Sequence, residues 1–202
     1  MQTIHFNDNT ITPSKVVCIG RNYVEHIYEL GNEIPENMVL FNKPNSAITD
    51  KLKFYQSDCR FEGEICFLVI DNKLQGIGFG LDLTKADIQN HLKAKGLPWE
   101  RAKGFDGSCV LGKFIPLYGN LETLEMKLYI NENLQQHATY DLMIYKPLEI
   151  LEEIQTFMSL EDGDIIMSGT PKGVATYDKG DIFRAEIYMD GKCIIQEIFE
   201  VM

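Results

Sequence analysis

The chain has 202 residues, 45% of them hydrophobic and 24% charged, and a formal net charge of −11. This describes one ordinary globular domain with enough chain for a sizeable core, and the excess of acid argues against nucleic acid or an anionic membrane as partner. Apolar runs fall short of membrane-spanning length, the N-terminal residues predict no secretory signal, and five widely spaced cysteines without a C-x-x-C pair argue against a disulfide framework or zinc knuckle, so a reducing, cytoplasmic setting is expected.

In chain order the pattern is β-rich α+β, with a few short helices. Residues 15–19 read as a buried strand. Asn22 is placed to cap a helix over residues 23–30, with Glu25 at the third helical position and Gly31 as the stop. With the polar residues that follow, this helix predicts a lid over about 22–37. Residues 65–70 and 74–81 flank Asp71-Asn72-Lys73, which reads as a hairpin turn. Thr84 is expected to cap a helix over 85–95, stopped by Gly96. Residues 127–130 and 134–137 predict a second hairpin, and 147–158 an amphipathic helix. Residues 165–167 lead into the loop Ser168–Gly173, and a last hairpin turns about Asp190-Gly191. With no repeat and no linker, residues 1–202 form a single domain.

The most informative short segment is Glu62-Gly63-Glu64, followed by Asp82 at the end of the next apolar run. Residues i and i+2 of a strand share a face, so the two glutamates project side by side. The plain reading is a solvated face of an edge strand. The apolar residues after Glu64 fall on both faces of that strand, which favours instead a pair of carboxylates held around a cation. An all-oxygen set suits Mg²⁺ or Mn²⁺, with Ca²⁺ also accommodated in vitro, and Asp82 can supply a third ligand.

His26 and Glu29, three apart on the first helix, share a face. A carboxylate beside an imidazole raises its basicity, although spacing alone favours a surface pair of no consequence. Arg21 and Lys43 flank the same region. Lys103 is either a cation for substrate or ligands or an ordinary surface lysine. The loop Ser168–Gly173 could bind a carboxylate through its backbone and the Thr170 hydroxyl, or be a simple turn, and it lacks P-loop spacing. Gly76, Gly78 and Gly80 lack the G-x-G-x-x-G spacing of a dinucleotide site. Cys109 could be a nucleophile, but such a cysteine is more often buried and inert.

Taken together, six segments resemble the fumarylacetoacetate hydrolase family: Ile19-Gly20-Arg21-Asn22-Tyr23, Phe61-Glu62-Gly63-Glu64, Leu81-Asp82-Leu83-Thr84, Lys95-Gly96-Leu97-Pro98-Trp99, Ala102-Lys103-Gly104-Phe105-Asp106 and Gly169-Thr170-Pro171-Lys172-Gly173-Val174. They follow the family's order over about residues 15–200. The chain looks closest to short, single-domain acylpyruvate hydrolases or oxaloacetate decarboxylases. The resemblance implies packed mixed β-sheets, a homodimer and a Mg²⁺ or Mn²⁺ site. It carries metal ligation to Glu62, Glu64 and Asp82, the catalytic pair to His26 and Glu29, and the active-site lysine to Lys103. Gln89, Thr170, Arg21 and Lys43 become substrate-side residues. Many members read Thr-x-Arg-Asp after the aspartate, whereas here Ala86 stands at the arginine position.

The reaction this implies is metal-assisted cleavage of a C–C bond in a small anionic 2-oxo acid, by acylpyruvate hydrolysis or oxaloacetate decarboxylation. The alternatives are an isomerase, hydratase or decarboxylase of a 2-oxo-enoic diacid and, from a different class, a metal-dependent dicarboxylate-binding module.

Overall fold

The structure, a computed structural model, describes residues 1–29 and 36–202, without the side chains of 26–28. In the first half the elements are β1 (Ile4–Phe6), β2 (Asn9–Ile11), β3 (Lys15–Gly20), α1 (Val24–Glu29), β4 (Val39–Pro44), β5 (Ile48–Thr49), β6 (Cys59–Phe61), β7 (Gly63–Ile70), β8 (Lys73–Asp82), β9 (Thr84–Lys85) and α2 (Ala86–Ala94). Then follow α3 (Glu100–Lys103), β10 (Cys109–Leu111), β11 (Ile115–Pro116), β12 (Glu125–Ile130), β13 (Asn133–Thr139), α4 (Pro147–Gln155), β14 (Ile165–Met167), β15 (Ala175–Thr176), β16 (Ile182–Met189) and β17 (Lys192–Glu200). No helix among the described residues is long and apolar enough to cross a membrane.

The large sheet is mixed, in the order β4-β3-β14-β7-β8-β10-β5, with β11 also on β8. Its β3–β14 and β5–β10 pairs are parallel. A second, antiparallel sheet has the order β13-β12-β16-β17. Alternation along the strands builds a core on each face of the large sheet. Ile65, Phe67, Val69, Ile77 and Phe79 pack with Met126, Leu128, Phe183 and Ile187 of the second sheet and with Ile150 and Ile154 of α4. The opposite face carries Val16, Cys18, Cys66, Leu68 and Met167, covered by Phe114. Three hairpins close through two-residue turns with both residues at positive φ: Asp71-Asn72, Asn131-Glu132 and Asp190-Gly191. These are the turns whose twist matches that of the paired strands.

The glycines of β8 are explained by packing. A Cβ at Gly78 would lie 2.9 Å from the Phe114 ring, and one at Gly80 would lie 2.7 Å from Cys66 Sγ. All five cysteines are free, as expected.

Two expected caps are not caps. Thr84 lies in β9, and α2 begins at Ala86 without a side-chain cap from its N-cap residue Lys85. Asp58 serves that end from outside, its Oδ2 accepting the Asp87 N–H at 3.0 Å. Asn22 is fully buried and its amide bridges two loops: Nδ2 donates to the Tyr145 and Ser168 carbonyls, and Oδ1 accepts the Tyr145 N–H. The expected end of the first helix at Leu30–Gly31, and the lid loop through residue 35, lie outside the described residues.

Candidate functional site

The site starts from strand register. Glu62 and Asp82 exchange both backbone hydrogen bonds, at 3.1 and 2.9 Å, as a directly opposed antiparallel pair. Their side chains therefore stand together, and Glu64, two residues along, joins them on the same face. Gly80 is opposite Glu64 and adds no side chain there. The three carboxylates terminate the face of the sheet that carries Cys66 and Leu68. One oxygen from each lies within 4.8 Å of the others. Oxygens on opposite sides of one hard divalent ion stand at about twice its bond length, roughly 4–5 Å, so this spacing fits such an ion.

Two buried lysines face the trio. Lys103, at the end of α3, donates to Glu62 Oε1 at 2.8 Å and to Asp82 Oδ2 at 2.7 Å. Lys43 of β4 has no exposed surface; its Nζ sits 2.7 Å from Asp82 Oδ1 and donates to the Lys103 carbonyl and to Ser108 Oγ. Asp82 Oδ1 is buried, and no hydrogen bond is added to this ion pair among the described residues. Three carboxylates thus stand against these two ammonium groups. Burial, then Asp82 and Glu62, hold the Glu64 carboxyl well above its ordinary range, against the Gly169 N–H and Lys103. Burial draws Lys103 down, but Asp82 and Glu62 more than offset it and leave it raised. A raised carboxyl and a close-set, all-carboxylate donor set together fit a divalent cation held by Glu62, Glu64 and Asp82.

The second sheet supports this strand from behind. Gly63 has no room for a side chain, because a Cβ would meet Gln136 Oε1 at 2.8 Å and Leu128 at 2.9 Å. Gln136 Oε1 instead accepts the Gly63 N–H at 2.9 Å, while Nε2 donates to Thr170 Oγ1 and the Pro171 carbonyl. Thr170 Oγ1 donates in turn to the Gly63 carbonyl. The loop after β14 does bind a carboxylate, but it is the protein's own: Gly169, at φ 96°, gives its N–H to Glu64 Oε2 at 2.6 Å. The same loop anchors α1, since Gly173 N–H lies 3.0 Å from Glu29 Oε1.

The sequence-predicted residues thus divide. Glu62, Glu64, Asp82, Lys43 and Lys103 converge on one point. Gln89 and Glu29 line a cavity that opens beside Glu62. The Thr170 hydroxyl is occupied by Gly63 and Gln136. Arg21, at φ 60° just after β3, is near enough for its charge to depress Lys93. The side chain of His26 lies outside the described residues, so the pairing with Glu29 rests on their spacing in α1. Cys109 is buried, with its thiol pushed up to about 12 chiefly by burial, which does not suit a nucleophile. Arg60, Lys93, Asn90 and Gln136 carry no signal in the sequence. Thr84 was expected as a cap, yet its hydroxyl donates to Glu62 Oε1 at 2.7 Å. Gln136 is a buried polar residue in a strand, a signal that only burial reveals.

A family model described as the fumarylacetoacetate (FAA) hydrolase C-terminal region matches residues 15–197. Oxaloacetate tautomerase YcgM of Escherichia coli (strain K12) is 36% identical over 187 residues, covering 83% of this chain and 85% of that protein. A crystal structure of a candidate fumarylacetoacetate isomerase/hydrolase from Oleispira antarctica superposes with a TM-score of 0.92 at 32% identity, covering 100% of each chain. Fumarylpyruvate hydrolase from Pseudomonas aeruginosa, solved in complex with Mn²⁺ and pyruvate, superposes with a TM-score of 0.88 at 26% identity over 100% of this chain and 95% of that one.

Proposed function

The chain belongs to the fumarylacetoacetate hydrolase family, and on that footing we propose that it is a divalent-metal-dependent enzyme acting on a small anionic 2-oxo acid through its enolate. Oxaloacetate is the first candidate substrate, supported by the relative named for its tautomerisation. Keto–enol interconversion needs a proton taken from one atom and returned to another. Decarboxylation of oxaloacetate instead forms the enolate of pyruvate by losing CO₂, and hydrolysis of an acylpyruvate forms that pyruvate enolate by cleaving a C–C bond and releasing a carboxylic acid. Cleavage is the second reading, supported by the fumarylpyruvate hydrolase neighbour. The observation that carries the proposal is the carboxylate trio, with one oxygen from each residue within 4.8 Å of the others.

Glu62, Glu64 and Asp82 would hold Mg²⁺ or Mn²⁺, which when bound supplies a Lewis acid for the 2-oxo and carboxylate oxygens of the substrate. The protein's own groups set the rest. Lys103 stays protonated beside Asp82 and Glu62, so it can donate toward developing negative charge but cannot take a proton from carbon. Lys43 spaces Asp82 and balances its charge, a supporting role rather than a substrate contact. We assign the base to His26, one turn before Glu29 on α1, because a carboxylate at that spacing suits an imidazole base. Gly173 holds Glu29, and its loop also holds Glu64, which ties helix and metal ligand to one segment. Arg21 remains a substrate-side cation, and Gln89 a polar contact from α2. The assembly we carry forward is a homodimer, which sedimentation would test.

Oxaloacetate and acylpyruvates should be assayed with and without EDTA, then with Mg²⁺ or Mn²⁺ restored. Loss of the enol absorbance, release of CO₂ and release of a carboxylic acid separate the three outcomes. Activity that survives complete metal removal sinks the proposal. His26→Ala should lose roughly 10²–10⁴-fold in rate while still binding metal, whereas Glu64→Ala should lose both; identical behaviour of the two variants would overturn the assignment of the base.

A further inference from the structure

Beside Glu62 lies a cavity of about 330 Å³ whose wall includes Arg60, Lys93, Gln89, Asn90 and Ala86. Ala86, Gln89, Asn90 and Lys93 fall at i, i+3, i+4 and i+7 of α2 and so present one face. Arg60 comes from the neighbouring strand pair, where it is registered between Thr84 of β9 and Thr176 of β15. Its neighbours Cys59 and Phe61 are buried, so alternation turns Arg60 to the other side.

The charges in this wall are unevenly satisfied. Its acids have partners: Glu62 takes Lys103 and Thr84, and Glu29 takes the Gly173 N–H. Its cations do not: among the described residues the Arg60 side chain makes no hydrogen bond or ion pair, and the Lys93 side chain makes only a cation–π contact with Trp99, 5.1 Å from the ring centroid. Elsewhere the buried cations of the site are paired, Lys43 with Asp82 and Lys103 with Asp82 and Glu62. Burial lowers Lys93, and Lys103, Arg21 and Arg60 lower it further, with Glu62 opposing. A partly buried cluster of like charges is costly until an anion joins it.

We propose that Arg60 and Lys93 form a subsite for a second substrate carboxylate, which makes the enzyme selective for 2-oxo diacids over 2-oxo monoacids. This rests on the metal-centred reading above: Glu62 is both a ligand of the proposed ion and part of the cavity wall, so the cavity borders the metal centre. Arg60 offers the planar fork that matches a carboxylate, Lys93 a point charge, and the amides of Gln89 and Asn90 further donors. The methyl of Ala86 adds no charge and leaves the space open. The cavity is at the small end of ligand sites, which run about 300–1,000 Å³. That suits a small diacid rather than a nucleotide-sized ligand.

The test compares a 2-oxo diacid, oxaloacetate, with a monoacid, acetylpyruvate, on the whole chain with Mg²⁺. In Arg60→Gln/Lys93→Gln the diacid-to-monoacid ratio of kcat/KM should fall roughly 10- to 100-fold, the scale of lost charge-assisted hydrogen bonds. Lys85→Gln, which removes one positive charge from a lysine stacked on Phe105 outside the cavity, should leave that ratio unchanged. A ratio unmoved in the double variant, or moved equally by Lys85→Gln, overturns the subsite. Calorimetric titration with succinate and butyrate gives a readout without turnover. The wild-type protein should prefer succinate, and the double variant should lose that preference. Retention of the preference, or its absence from the wild-type protein, also overturns the subsite. If no 2-oxo acid is turned over, the reaction proposed above fails, and the succinate titration still decides the subsite by itself.

Discussion

Asp164 and Glu64 are both buried carboxylates at the margins of the large sheet, 0% and 1% exposed, and their environments push them in opposite directions. Asp164 sits before β14 and ties it to the entry of β3. Its Oδ1 accepts from Ser14 N, Ser14 Oγ and Lys15 N at 2.9, 2.7 and 3.1 Å, and its Oδ2 from Glu161 N and Lys15 Nζ. Burial alone would raise its carboxyl, but Lys15, Ser14 and the backbone donors hold it below its usual range. Glu64 accepts the Gly169 N–H, and burial together with Asp82 and Glu62 raises it. A carboxylate enclosed by donors completes the fold. A carboxylate enclosed by other carboxylates costs the fold something and keeps charge in reserve for a ligand.

The sharpest way to break this comparison is to remove a lysine from the trio. Lys43→Met leaves Asp82 and its neighbours short of a buried counter-charge, and removing one partner of such a pair costs about 3–5 kcal/mol. Urea unfolding of the metal-free protein measures it; a loss below about 1 kcal/mol would mean that the trio does not depend on its lysines.

Next is Asp164→Ala, expected to cost about 3 kcal/mol, since hydrogen bonds to a charged group contribute about 1.5–3 kcal/mol each and are not additive. Because the folded-state pKa of Asp164 lies below the unfolded value, its contribution is complete above about pH 3.9 and fades as pH falls through the folded value. Stability curves of the wild-type and Asp164→Ala proteins should therefore converge in acid. Curves that stay parallel to low pH would contradict a charged, paired Asp164.

The smallest effect has the opposite sign. The raised Glu64 carboxyl means that its ionised form weighs against folding at neutral pH, so Glu64→Gln should stabilise the metal-free protein by about 0.5–2 kcal/mol. The same variant should lose the rise in melting temperature that Mg²⁺ gives the wild type, a stabilisation of about 2.7 kcal/mol at 100 times the dissociation constant. A Glu64→Gln protein that is less stable without metal would place Glu64 with Asp164, as a structural carboxylate.

Much of the site was legible in the sequence because it is local. Glu62 and Glu64 share a face by strand alternation, and Asp82 ends the strand that the Asp71-Asn72 turn folds back beside them. The family resemblance added Lys103 and Lys43, which periodicity alone leaves as two unremarkable lysines. The β-rich class with few helices followed from alternation and turn residues, and the packed mixed sheets from the family resemblance. The caps at Asn22 and Thr84 were misread for one physical reason: a side chain that can cap a helix can equally serve a distant partner, and here Tyr145, Ser168 and Glu62 compete successfully. Gln136, Arg60 and Lys93 carried no local signal, because their partners and neighbours lie on other elements.

The sequence by itself determined the alternation that buries both faces of β7, the turns that close the hairpins, and the placing of two carboxylates side by side in an apolar strand. Only the tertiary structure decided what surrounds them. Gly169 reaches Glu64 across 105 residues of chain, Lys43 meets the Lys103 carbonyl across 60, and Gln136 fills the space that Gly63 leaves across 73. Strand periodicity specifies which way a side chain points, but not what stands opposite it once sheets pack. The charge balance of the trio and the unpaired cations of the cavity beside it therefore arise only when those distant elements come together.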